Sequence, residues 1–208
     1  MACKDWLTNK VDRSVTGRIA MQQTAGQIQL PLNDCAVVAL DYQGKAGIAT
    51  AIGHAPVAAM ADPAEGSVLA IVESLTNIVF APLAYGLKGV SLSANWMWSC
   101  KNEGEDARLY KAVQGASDFA IALGINIPTG KDSLSMTQKY KNGDKVYAPG
   151  TVIISSGAEV SDIKQCVKAA LKQRTSSILY VDMSRSEFAL GGSSFYQTLG
   201  SVGKRIPT

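Results

Sequence analysis

DPAEGSVLAIVESLTNIV (residues 62–79) carries the clearest local signal in the chain. Asp62 offers an N-cap oxygen, Pro63 stands at the first helical position where no N–H is needed, and Glu65 adds an acid to the first turn. Behind this start Val68, Leu69, Ile71, Val72, Leu75, Ile78 and Val79 recur densely enough for a helix buried on most sides. Glu73 and Asn77 interrupt the apolar run one turn apart and share a helical face. A carboxylate beside an amide carbonyl supplies two hard oxygens of the kind Mg²⁺ takes alongside substrate phosphates. The alternative is a solvated polar stripe, but a carboxylate in so apolar a setting needs a partner. Asp34, next to a run that reads as a strand buried on both faces, is a third candidate oxygen ligand.

Working outward, QIQLPLNDCAVVALD (27–41) reads as strand with a proline kink before Asn33, and AGIATAIG (46–53) as a second strand. KGVSLSANWMW (88–98) reads as another strand, with Trp96 and Trp98 on one face as core or interface. Gly104-Glu105-Asp106 opens a second helix whose stripe is Leu109, Val113, Ala116, Ala120 and Leu123, ending at Gly124. Strands over 133–140 and 145–157 flank a hairpin turn at Asn142-Gly143. A third, short helix is expected over 161–173, a strand over 176–184 and a last helix over 193–200. Helices and strands mix around one hairpin without a regular βαβ repeat, which favours an α+β fold over a doubly wound sheet. The expected organisation is a leading arm over 1–18, one domain over 19–148 and the beginning of another over 149–208.

Composition narrows the function. The 208 residues carry 20 Lys and Arg against 17 Asp and Glu, a net charge of +3 with no basic stripe, so no nucleic acid partner is expected. One histidine, His54, in an expected loop, excludes a multi-histidine zinc site. The four cysteines, at 3, 35, 100 and 166, are too far apart for a CxxC motif and read as free thiols of a reducing cytoplasm. The most apolar window, Val68 to Leu87, contains Glu73, Asn77 and Pro82, so no membrane span is expected. Gly130-Lys131-Asp132-Ser133 departs from a Walker A loop. It reads either as a turn between strands or as a phosphate-facing turn with Lys131 as its cation. Asp12-Arg13-Ser14-Val15-Thr16-Gly17 could bind an anion or form a capped turn.

DRSVTG (12–17), QLPLNDCAVVAL (29–40), ESLTN (73–77), SANWMW (93–98), GED (104–106), IPTGKDSLSM (127–136), APGTVIIS (148–155) and LGGSSFYQTLG (190–200) occur in this order. Together they closely resemble the second half of the synthetase region of the large, single-chain phosphoribosylformylglycinamidine synthases, over nearly the whole chain. The resemblance implies an aminoimidazole-ribonucleotide-synthetase-like N-terminal-type domain, with a mixed or antiparallel sheet and packed helices, followed by the start of a C-terminal-type domain. It implies part of a cytoplasmic ligase of purine biosynthesis that converts formylglycinamide ribonucleotide to formylglycinamidine ribonucleotide with ATP and glutamine. In that reaction ATP activates the amide oxygen as an iminophosphate, ammonia from a glutaminase domain displaces the phosphate, and Mg²⁺ neutralises phosphate charge.

Carried over by motif, Asp34, Glu73 and Asn77 match Mg²⁺ ligands of an auxiliary ATP or ADP site. Asn33 falls at a nucleotide contact where the family often has Ala. No catalytic residue is assigned. A further family ligand, an Asp in a D-x-S-D-G-G motif, is absent from the chain, as are the glutaminase residues and the first synthetase half. The chain is therefore expected to be inactive alone, with the rest of the same polypeptide as its partner. N-terminal-type domains of this kind pair into a shared β-barrel, so the isolated piece should expose apolar sheet or homodimerise. Two other readings are a complete small ATP-dependent enzyme of the thiamine-phosphate kinase or selenophosphate synthetase type, and a non-catalytic interaction module without nucleotide affinity. Chain length and the SANWMW and GKDSLSM strings speak against the first.

Overall fold

The computed structural model describes residues 13, 17–172, 175–182 and 188–205. In chain order its elements are β1 (Ile19–Met21), β2 (Thr24–Ala25), β3 (Leu30–Pro31), β4 (Cys35–Ala39), β5 (Gly47–His54), α1 (Pro56–Ala61) and α2 (Pro63–Ile78). There follow β6 (Ser91–Met97), α3 (Glu105–Leu123), β7 (Asn126–Ser133), β8 (Thr137–Lys139), β9 (Lys145–Tyr147), β10 (Thr151–Val160) and α4 (Ser194–Thr198). Six strands form one sheet in the order β1-β4-β5-β10-β6-β7, antiparallel except for the parallel pair β6–β7 that α3 connects. This is the α+β arrangement expected from the sequence. The expected division at 148/149 would sever this sheet, because β10 lies between β5 and β6.

β5 alternates without interruption: Gly47, Ala49, Ala51 and Gly53 are buried, while Ile48, Thr50, Ile52 and His54 face out. Small residues on the inner face let α2 lie close. A Cβ on Gly53 would fall 2.2 Å from the Ala70 carbonyl oxygen and 2.4 Å from the Ser74 nitrogen, so only glycine fits against this helix backbone. The contact surface of α2 is Gly66, Ala70, Ile71, Ser74, Leu75 and Ile78, all buried. Buried Ser156 of β10 places its hydroxyl 3.3 Å from the carbonyls of both Ala51 and Ser74, joining strand and helix. The outer face of β5 stays open, with Ile48 45% and Ile52 54% exposed.

Local signals decide the helix ends. The Asp62 carboxylate accepts N–H bonds from Ala64 and Glu65 as the N-cap of α2. Gly124 closes α3 in the left-handed conformation with φ 67°. The buried stripe of α3 is Ala112, Ala116 and Ala120; Val113, expected inside, faces out. Arg108 of α3 donates to the carbonyls of Ala59 and Met60 at 2.6 and 3.1 Å, capping the end of α1, a helix that the sequence pattern did not signal. β8 and β9 meet at Asn142-Gly143, as the hairpin signal implies.

Three expectations fail. The helix expected over 161–173 is a single 3₁₀ turn, Ile163–Gln165, capped by Asp162. Beyond it the N–H groups of Val167 and Ala169 go to the Phe80 carbonyl and the Asn33 side-chain oxygen, tertiary partners that replace helical ones. Among the described residues of 176–184, none forms a strand, and Ile178, Leu179 and Tyr180 are largely exposed. Gly130–Ser133 is not a turn but the end of β7, paired in register with Ala94–Met97 of β6. Most of the expected leading arm lies outside the described residues, as do Asp12 and Ser14 to Thr16.

Gly53→Ala should lower stability by about 1–3 kcal/mol through overpacking, read as a shifted urea midpoint; a change below about 0.5 kcal/mol would mean that α2 is free to retreat. Burial, with the neighbouring Cys166 adding to it, pushes the Cys35 thiol up from its ordinary 9.0 to about 12. Its unfolded-state proton is therefore lost first, and stability falls as pH rises through the window between 9 and 12, by at most about 1.4 kcal/mol per pH unit. Urea unfolding across that range should show a shallower alkaline decline in Cys35→Ala; an identical decline would contradict the assignment.

Candidate functional site

β4 pairs with β5 only as far as Cys35 opposite Ala51, so Ile52, Gly53 and His54 run on past the end of β4. On that unpaired side α2 supplies what a strand would have given. The Asn77 amide donates to the Ile52 carbonyl at 3.0 Å, and the His54 backbone N–H donates to Glu73 Oε2 at 2.6 Å. The one-turn spacing of Glu73 and Asn77 thus matches two alternate residues of the strand edge. Asp34, the residue before β4, stands at the same strand end.

A cleft of about 640 Å³ opens here, and its walls include Asp34, Thr50, His54, Glu73 and Asn77. The three oxygen-bearing residues singled out by sequence therefore share one cavity. Asn77 commits its nitrogen to Ile52, which leaves Oδ1 as the uncommitted end of the amide. Glu73 uses one carboxylate oxygen on His54 and retains the other. No lysine or arginine is among the described residues that line this cleft, although Lys168 lines a smaller cavity together with Asp34. Hard oxygen donors of this kind form a donor set suited to a divalent ion such as Mg²⁺.

The other sequence candidates sit differently. Asn33 lines the cleft, but its side chain is spent on backbone: Nδ2 donates to the carbonyls of Gln22 (2.8 Å) and Thr24 (3.3 Å), and Oδ1 accepts from Ala169 N–H (2.9 Å). Lys131 is not brought to the cleft; it lies on β7, at the far edge of the sheet, and its ammonium donates to Ser133 Oγ. His54 is the last residue of β5 rather than a loop residue, and its backbone rather than its ring holds Glu73. Sequence reasoning missed Thr50 and Ser155 on the cleft wall; the outward-facing positions of neighbouring strands were the signal available. Among the described residues, no helix is long and apolar enough to cross a membrane, and Cys35, Cys100 and Cys166 are free thiols.

Comparison with known proteins identifies relatives along the whole chain. The chain is 43% identical to human phosphoribosylformylglycinamidine synthase over 209 aligned residues, which cover 100% of the chain and 16% of the human protein. It is 41% identical to a probable phosphoribosylformylglycinamidine synthase, chloroplastic/mitochondrial, of Arabidopsis thaliana, covering 100% of the chain and 15% of that protein. The chain thus spans about a sixth of the length of these relatives. Among solved structures it resembles Thermotoga maritima PurL complexed with AMPPCP, with TM-score 0.55 and 16% identity over 81% of the chain and 26% of that protein. It also resembles PurLQS from the same organism, with TM-score 0.53 and 16% identity over 74% of the chain and 23% of that protein. At these identities the structural likeness concerns the fold. The FGAR-AT PurM_N-like domain family matches residues 3–159, through the last strand of the sheet, and the chain belongs to that family.

Proposed function

We propose that the chain is a synthetase-type domain of a longer ligase that converts formylglycinamide ribonucleotide to formylglycinamidine ribonucleotide with ATP and glutamine-derived ammonia. In this reading the cleft beside the end of β4 holds a Mg²⁺ ion and the phosphates of ATP or ADP. The observation that carries it is the meeting of Asp34, Glu73 and Asn77 on one cleft wall that has no lysine or arginine. Asp34, the second oxygen of Glu73 and Oδ1 of Asn77 would hold the ion. When bound, the metal neutralises polyphosphate charge, and the chain's own contribution is to fix the direction of its donors through the Ile52 and His54 backbone. The names of the relatives, aligned along the whole chain, support this reading, as does the complex that Thermotoga PurL forms with AMPPCP. The free thiols suit a reducing compartment, and we propose the cytoplasm.

Asn33 and Lys131, the two sequence candidates for nucleotide contact, enter this proposal unequally. Asn33 acts by holding the backbone around the cleft, and Lys131 reaches nucleotide only if the rest of the polypeptide brings one to β7. The open outer face of β5, with Ile48 and Ile52 on it, is the surface that a companion domain of the same polypeptide would cover.

Calorimetric titration with ADP should show saturable binding that requires Mg²⁺. Asp34→Ala or Glu73→Ala should weaken it at least about tenfold with the fold retained; Mg²⁺-dependent binding unchanged in both variants would sink the cleft assignment. Alone, the chain should sediment as a homodimer that Ile48→Lys makes monomeric, and should form no product from formylglycinamide ribonucleotide, ATP and ammonia. A monomeric or catalytically competent isolated chain would contradict the partner requirement.

A further inference from the structure

Arg13 is held in a way the proposed nucleotide cleft does not use. Its Nε donates to Gln22 Oε1 at 3.0 Å and its Nη2 to Gln29 Oε1 at 2.8 Å. Gln29 is itself fixed: its Oε1 also accepts from the buried Thr24 hydroxyl at 3.0 Å, and its Nε2 donates to the Gly26 carbonyl at 2.7 Å. Both partners of the guanidinium are neutral amides. They orient the fork without cancelling its charge, and no carboxylate pairs with Arg13 among the described residues. Among the described residues, two bonds of this five-donor group are used.

That arginine lines a cavity of about 430 Å³ together with Gln22, Thr24, Gln29 and Lys168, and no acidic residue is among its described lining residues. Lys168 comes from the segment after the 3₁₀ turn, whose course is fixed on both sides by Val167 N–H to the Phe80 carbonyl and Ala169 N–H to Asn33 Oδ1. The same Asn33 side chain donates to the carbonyls of Gln22 and Thr24, so one residue ties the two cationic walls together. Folding therefore brings two like charges to one partly enclosed space and spends a three-bond asparagine clamp on keeping them there. Like charges so placed favour an anion between them. This cavity shares no lining residue with the Asp34 cleft, although Lys168 also lines a smaller cavity with Asp34.

We propose that this cavity is a phosphate-binding site, distinct from the Mg²⁺ cleft, in which Arg13 and Lys168 contact the oxyanion and Asn33 is the positioning residue. A phosphoryl group fits better than a carboxylate because its oxygens diverge in three directions and can meet the guanidinium edge and the ammonium from opposite walls. Inorganic phosphate and a small sugar phosphate share this chemistry.

The test is calorimetric titration of the full chain with inorganic phosphate, ribose 5-phosphate and succinate in Mg²⁺-free, low-salt buffer. Saturable phosphate binding is expected, weakened about tenfold or more by Arg13→Gln and by Lys168→Gln. It should be unchanged in Glu73→Gln, which separates it from the metal cleft, and in Lys88→Gln, which removes a charge elsewhere. Tighter binding of inorganic phosphate identifies the free ion as ligand, and tighter binding of ribose 5-phosphate a phosphorylated sugar. Succinate binding as well as phosphate would overturn the phosphoryl assignment. Absence of saturable binding, or binding indifferent to both cation substitutions, would overturn the site. Lys168 is exposed, so its variant decides the matter if Arg13→Gln fails to fold.

Discussion

The close approach of α2 to β5 at Gly53 is the contact on which the rest depends. With no side chain at that position, the helix backbone at Ala70 and Ser74 lies directly against the strand. Every other buried residue of β5 is Gly or Ala, so helix and strand meet along their whole overlap. This approach brings Asn77 to the Ile52 carbonyl and Glu73 to the His54 N–H. Packing of small residues in the core thus sets the position of polar residues at the surface, and a stability constraint becomes a constraint on the site.

The strand end matters as much as the helix. Because β4 begins at Cys35, two backbone groups of β5 lack a ladder partner, and side chains from α2 satisfy them. The same bonds leave one oxygen each of Glu73 and Asn77 uncommitted on side chains that line the cleft. In the proposed site, donors held this way would be ordered before any ligand arrives, which would reduce the ordering cost of binding. The cationic cavity around Arg13 follows a related rule, with neutral amides orienting a charge they do not neutralise.

Much of the architecture was legible because its signals are local. The Asp62 cap, the Gly124 stop and the Asn142-Gly143 turn are each decided within a few residues, and each lies where the sequence places it. The fate of residues 166–170 was not legible. The N–H groups of Val167 and Ala169 are claimed by Phe80 and Asn33, distant in sequence, and no helical propensity reports that. The GKDS string reads as a turn because polar edge strands lack alternation, and its pairing with β6 depends on a crossover the letters do not encode. For the site, residue types and motif order marked Asp34, Glu73 and Asn77. That Asn33 is a clamp, and that α2 completes the edge of β5, became visible only once the length of β4 was known.

The proposed cleft requires a divalent ion where the end of β4 meets α2. Crystals of the chain grown with Mn²⁺ and ADP, measured at the manganese absorption edge, would locate that ion directly. One anomalous peak is expected about 2.1 Å from oxygens of Asp34, Glu73 and Asn77, with ADP phosphate completing its coordination. A peak at other carboxylates, with those three side chains engaged only by protein backbone, would contradict the assignment.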